Sequence, residues 1–275
     1  MKSNAALRLS SIVILLGIWW VGSLFSPPKI LPGPVAIART IVDNFVTPGP
    51  EDKLAHFHIG VTLLRIIATF SVAMLIGIAL GLAMGLRRTL ERAVGYLIPI
   101  ALTIPTLLAV FLCVLWFGYS EAGGLFAVIA VVTPFVTVNM LAGTKAMDKE
   151  LIDMARAFKA NRSLLIRKVF LWQLMPYIFS AFRYAFGMTW KIVALAETFG
   201  LKFGIGYMFT FWFEQFNMQQ VLAWIILFVV LMLRGGRSTP FSPRPFNPSA
   251  SLERSGCRTY PRPPGSMIRE CSGYT

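Results

Sequence analysis

Charge is what this sequence has least of. Only 14% of its 275 residues are Asp, Glu, Lys or Arg, against about 25% in soluble domains, while 56% are hydrophobic, above the usual ~45–50%. A soluble fold with so little polar surface has nothing to cover itself with, so the composition excludes an ordinary soluble domain. Cysteine is also scarce: Cys113 sits in an apolar run, Cys257 and Cys271 lie near the C-terminus, and three scattered thiols make no disulfide framework. The two histidines, His56 and His58 in AHFHIG, have no cysteine or acidic pair at ligand spacing, so no metal site is expected. There is no G-x-x-x-x-G-K-[ST] loop to cradle nucleotide phosphates. No nucleophile, base and orienting acid can be assembled either. The chain by itself is expected to be neither an enzyme nor a cofactor carrier.

What is present is a series of long apolar runs. At about 20 apolar residues per bilayer crossing, the candidates are residues 9–25, 66–86, 93–117, 124–141, 176–199 and 220–233. The runs are continuous rather than alternating, which predicts helices and excludes a barrel. The first run, SIVILLGIWWVGSLF behind a basic lead, has no small-residue cleavage pattern after it and is expected to stay as a span. The sequence therefore predicts an all-α integral membrane protein of about six transmembrane helices.

The net charge of +14 is distributed in a way that fixes an orientation. With the N-terminus inside, residues 145–168 hold seven basic and three acidic residues, residues 87–92 three Arg and one Glu, and the segment after Leu233 seven Arg and two Glu. The outside connections, residues 26–60, 118–123 and 200–219, hold four basic and five acidic residues. This is the asymmetry of the positive-inside rule. Topology thus accounts for the basicity, and no nucleic-acid partner is expected.

One charged segment sits between two of the most apolar regions. In LIDMARAFKANRSLLIRKVFL, residues 151–171, Leu151, Met154, Ala155 and Phe158 share one helical face, and Leu165, Ile166, Val169 and Phe170 resume a stripe after an interruption at residues 161–163. Ser163 is the expected N-cap of the second helix. Two readings of this helix pair stand on the residues alone: it lies on anionic lipid, or it docks on a cytoplasmic partner.

Within the spans, Ala73, Gly77, Gly81 and Gly85 recur every four residues, a stripe that lets helices approach closely. Pro99, Pro105 and Pro134 are expected to kink or break their helices. Thr103, Thr106, Thr133, Thr137 and Asn139 lie at similar depth, either lining a path beside broken helices or bonding across helices. In the fifth run Arg183, Lys191 and Glu197 would each cost about 2.5–3.5 kcal/mol facing lipid at the bilayer centre. Arg183 and Glu197 are about 21 Å apart along a helix, too far to pair, with Lys191 about 80° round from Arg183. That spacing suits a water-accessible face with a preference for anions; a structural place for Lys191 at a subunit interface is the other reading.

The sequence resembles the inner-membrane permease subunits of bacterial ATP-binding-cassette importers, in the branch that carries nitrate, sulfonates, taurine and related small organic solutes. The likeness covers residues 31–233 and rests on LPGPVAIARTIV, TLLRIIATFSVAMLIGIALGLAMGL, IPTLLAVFLCVLWFGYSE and, above all, MARAFKANRSLLIRKVFLWQLMPYIFSAFRYAFGMTWKIVALAE. The last block is similar to the family's EAA loop, residues 145–175 here. The resemblance implies a cytoplasmic helix pair that enters a cleft on a separate ATPase subunit, with Asp153, Ala155, Arg156, Phe158, Lys159, Ala160 and Asn161 at the contact. It also implies a permease dimer, an external solute-binding protein, periplasmic or lipid-anchored, and a translocation path on which Thr103, Pro105, Thr137, Arg183, Lys191 and Glu197 are the candidates. An ATP-independent channel or secondary transporter is the alternative. Two positions depart from the family pattern. Lys159 stands where a glycine is usual, so Asn161 is expected to take over the left-handed turn, and Leu171-Trp172 stands for the usual Leu-Pro. The resemblance stops at Leu233. The remaining residues 234–275, with seven Pro and seven Arg, are expected to be disordered, through an altered reading frame or as a Pro/Arg-rich regulatory tail.

Overall fold

A computed structural model describes residues 2–159, 161–237, 257–260 and 268–271. The chain falls into two units, Met1–Ser238 and Thr239–Thr275. In the first, the apolar runs are helical, because hydrocarbon offers no partner to a backbone N–H or C=O and only a helix satisfies both within one segment. In order they are α1 (Lys2–Phe25), α2 (Pro34–Val46), α3 (Ala55–Leu86), α4 (Arg88–Val94), α5 (Leu97–Thr103), α6 (Thr106–Phe117), α7 (Glu121–Lys145), α8 (Lys149–Ala157), α9 (Arg162–Leu164), α10 (Leu171–Gly200), α11 (Ile205–Glu214) and α12 (Met218–Arg237).

One of the six expected spans is divided into two helices. Among the described residues α3, α7 and α12 are long and apolar enough to cross alone, and two bent pairs bring the number to at most five. The first expected run, residues 9–25, lies within α1. The expected span at residues 93–117 is broken by 103° between α5 and α6. Pro105 causes the break: Ile104, before it, is extended at φ −66° and ψ 123°, as the clash with a following proline ring requires. Pro99 lies inside α5 and Pro134 inside the uninterrupted α7, so neither breaks its helix. Neighbouring helices can re-satisfy a carbonyl freed by proline within a membrane.

α3 begins eleven residues before the expected start at residue 66. His56, His58 and Arg65 hide its first turns from a hydropathy reading, yet His58, Thr62 and Arg65 are buried. The expected position of both histidines in an outside connection is therefore corrected: they belong to the helix.

The small-residue stripe does what its spacing suggests, against α7. A Cβ on Gly77 would stand 2.5 Å from Cβ of Val136, and one on Gly81 would stand 2.5 Å from Cβ of Met140 and 2.8 Å from the Thr137 carbonyl oxygen. Only glycine admits that approach. Ala73, Val132, Val136 and Met140 are fully buried along it, and the same core extends through Val110 and Val114 of α6 to Ala181, Ala185, Trp190 and Val193 of α10. At one end of the bundle Lys145 of α7 pairs with Glu91 of α4. Ser120 starts α7 at the other end, its Oγ accepting from the Gly123 N–H at 3.2 Å.

The second unit contains an antiparallel ladder, Cys257–Tyr260 against Ile268–Cys271, in which residue 257 faces 271 and 260 faces 268. These residues differ from the expected disorder after residue 233, as do residues 234–237, which extend α12. The rest of that expectation, residues 238–256, 261–267 and 272–275, lies outside the described residues.

Candidate functional site

The connection from α7 to α10 is a helix, a turn and a second helix. Asp148 opens it: its Oδ1 accepts from the Glu150 N–H at 2.9 Å, and its own N–H donates to Oε1 of Gln173 at 2.8 Å, tying the start of α8 to α10. α8 carries Asp153, Ala155 and Arg156, and Phe158 and Lys159 form the turn after it. Lys159 itself takes the left-handed conformation, at φ 50°, at a cost of about 1–2 kcal/mol for a residue with a side chain. The expectation that Asn161 would take over is thus corrected. Asn161 instead precedes the second helix, its carbonyl accepting from the Leu165 N–H at 3.0 Å, and Ser163, the expected N-cap, lies inside α9. Ala160 lies outside the described residues.

From Leu165 to Phe170 the backbone widens into a π-helical turn and runs straight into α10. With Trp172 where the family pattern has proline, nothing interrupts the helix there; Pro176 is absorbed within it. The pair presents apolar side chains outward: Phe158 is 81% exposed, and Met154, Leu164 and Ile166 are about half exposed.

The expected path residues do not converge on one cavity. Thr103 and Pro105 sit exposed at the α5–α6 break, with Thr103 Oγ1 donating to the Ile100 carbonyl. Thr137 is buried, its hydroxyl turned back to the Thr133 carbonyl and its backbone against Gly81, so in this chain it belongs to the α3–α7 contact. Arg183 and Lys191 are exposed on α10 and, among the described residues, enter no ion pair. Between them, on the same side, a Cβ on Gly187 would meet open space.

Glu197 departs most from expectation. Its spacing from Arg183 suits a water-accessible face, but it is 1% exposed. Six residues on from Lys191 the surroundings of α10 change: the chain folds back over the helix, and a Cβ on Gly206 would stand 2.8 Å from Cβ of Glu197. Arg65 of α3 supplies the countercharge. Its Nη1 donates to Glu197 Oε1 at 2.9 Å and to the Phe203 carbonyl at 2.8 Å, its Nη2 to the Lys202 carbonyl at 2.8 Å and to Glu121, and its Nε to Glu121 Oε2 at 3.1 Å. A guanidinium has five N–H donors; all five are used. Thr62 adds its hydroxyl, within 2.9 and 3.0 Å of the two Glu197 oxygens, and accepts from the Ile205 N–H. The Gly206 N–H also reaches Glu197, at 3.0 Å, and the Gly204 N–H reaches His58 Nδ1 at 3.2 Å.

Thr62, Arg65 and Glu121 were missed as members of one site. The available signal was depth: Arg65 and Glu197 are opposite charges near the same ends of their spans, and in hydrocarbon such charges pair.

The chain matches, over residues 73–234, the family described as binding-protein-dependent transport system inner membrane component. It is 26% identical over 210 residues to the taurine transport system permease protein TauC of Escherichia coli, covering 76% of each chain. It is 28% identical over 225 residues to the formylaminopyrimidine transport permease protein ThiX of Halalkalibacterium halodurans, covering 81% of this chain and 87% of that one. Its fold resembles a chain of the MetNI methionine ABC transporter in an inward-facing conformation, with a TM-score of 0.53 at 17% identity over 66% of this chain and 94% of the other. The family match alone spans more than half of the sequence, and the protein belongs to the binding-protein-dependent inner-membrane components.

Proposed function

We propose that this chain is the permease subunit of an ATP-binding-cassette importer in a bacterial inner membrane, with its N-terminus on the cytoplasmic side. It forms the path for a small anionic solute such as nitrate, a sulfonate or taurine. One observation carries the reading: the connection between α7 and α10 is a helix pair whose apolar residues, Phe158 foremost, face outward from a segment of high positive charge. A segment resting within its own bundle would turn those side chains inward; one that docks leaves them for a partner. The partner is a separate ATPase subunit, since this sequence has no phosphate loop. Family membership implies both that subunit and a solute-binding protein.

For the solute, the observation is the exposed side of α10. Two cations about 12 Å apart along the helix, both exposed, are too costly to leave in lipid. They face either a second copy of the chain or water between two copies. A homodimer with α10 beside its own path satisfies both charges and favours anions. Permeases of this family serve solutes as unlike as taurine and a pyrimidine, so the external binding protein carries much of the selection.

The docking reading is tested in complexes purified with the ATPase. Phe158→Asp and Ala155→Trp are expected to lower ATP-driven uptake into proteoliposomes about thirtyfold, the equivalent of losing one central contact of about 2 kcal/mol. Membrane insertion is expected to be unchanged, because the charge asymmetry that sets topology barely moves. Normal coupled uptake by both variants would show that the helices rest on lipid.

A further inference from the structure

We infer that Arg65, Glu197 and Thr62 are positioning residues that latch the hinge between α10 and α11, setting the direction of α11 from α3. The two helices meet at an angle of 46° across residues 201–204. The backbone there is held where side-chain-bearing residues rarely go: Phe203 has φ 63° and Gly204 φ 109°. Such a conformation persists only when its surroundings over-determine it. Here the surroundings are one helix. Arg65 takes the carbonyls of Lys202 and Phe203, Thr62 takes the Ile205 N–H, and His58 takes the Gly204 N–H. Three consecutive α3 positions on one face, at i, i+4 and i+7, thus grip four consecutive residues of the turn. Glu197 closes the ring from α10 by accepting from Arg65, Thr62 and Gly206.

The choice of a charged pair argues for position rather than strength. A buried ion pair is usually no more stable than apolar residues of the same volume, and its best-attested use is to fix one arrangement out of several. An arrangement worth fixing is present: Tyr207, Thr210 and Glu214 of α11 line a cleft of about 370 Å³ with Tyr119, Thr198 and Lys202. A rotation of α11 about the hinge opens or closes that cleft. If the chain is a permease, this is the solute's mouth at the end of the bundle away from α8; that consequence rests on the proposed function, while the latch does not.

Hydrogen exchange on the full chain in lipid nanodiscs tests the latch. Thr62→Val keeps the side-chain shape and the ion pair but removes the hydroxyl that joins Glu197 to Ile205. It is expected to speed exchange of residues 204–214 about tenfold, as loss of one buried hydrogen bond allows, with no change in residues 127–141 of α7. Glu197→Gln, which removes the charge and keeps one of the two acceptor oxygens, is expected to act on the same peptides. Nitroxides at positions 213 and 72, with the native cysteines replaced by serine, are expected to show a broader distance distribution in both variants than in the parent. Unchanged exchange and distances, or exchange that rises equally in α7, would overturn the latch. Absence of ATP-dependent uptake by the parent protein would contradict the permease reading alone and leave the exchange comparison standing.

Discussion

Six residues of one helix separate Lys191 from Glu197, and the two charges are housed in opposite ways. Glu197 is enclosed, and the arginine that faces it has no donor to spare. Lys191, like Arg183 below it, stands on an open side of the same helix with no ion-pair partner among the described residues. A membrane protein tolerates a charge within a span by saturating it or by giving it water or another subunit. The saturated charge does architectural work, and the open one is left for something outside this chain. Sequence alone ranks the three charges of α10 together, because hydropathy and spacing record that a charge is present and say nothing of what lies opposite it.

The largest effect belongs to the saturated side. Arg65→Ala leaves Glu197 buried without its countercharge and is expected to cost about 3–5 kcal/mol, read as a fall in thermal unfolding temperature in detergent. Arg183→Ala, on the open side, is expected to leave that temperature unchanged. Equal losses in the two variants would erase the contrast. Next comes the uncharged seam that holds α3 in place to present Arg65. Gly81→Leu forces a side chain into the space of Met140 and the Thr137 carbonyl, and overpacking of this kind is expected to cost about 1–3 kcal/mol. A neutral outcome would mean that α3 and α7 separate without penalty. Smaller still, Lys159→Gly removes a left-handed strain of about 1 kcal/mol and is expected to stabilise the α8 turn, slowing proteolysis there. No change in cleavage rate would show that the turn relaxes by another route.

Much of this was legible from the residues, and the misses share a cause. The four-residue repeat of Ala73, Gly77, Gly81 and Gly85 named its own function, because close packing depends only on what one helix lacks. Pro105 named its break, because the constraint on Ile104 is local. The start of α3 was hidden, since His56, His58 and Arg65 read as the end of an apolar run until Glu197 and the Gly204 turn are placed against them. Thr137 was legible as polar and mid-span but not as facing α3. Lys159 shows a limit of residue preference: the turn geometry was required by the fold, and a lysine adopts it. The π turn at residues 165–170 has no signature in the sequence that we can identify.

The claim that open charge marks the path is tested most directly at Lys191. In complexes purified with the ATPase, solute transport per assembled complex is to be measured for Lys191→Met beside the parent. Complex yield and unfolding temperature are expected to be unchanged or slightly raised, because an uncompensated charge has been removed from a span. Transport is expected to fall about tenfold, equivalent to about 1.4 kcal/mol of lost anion stabilisation. Unchanged transport per complex, with or without a change in yield, would contradict the claim and assign Lys191 to the interface between subunits.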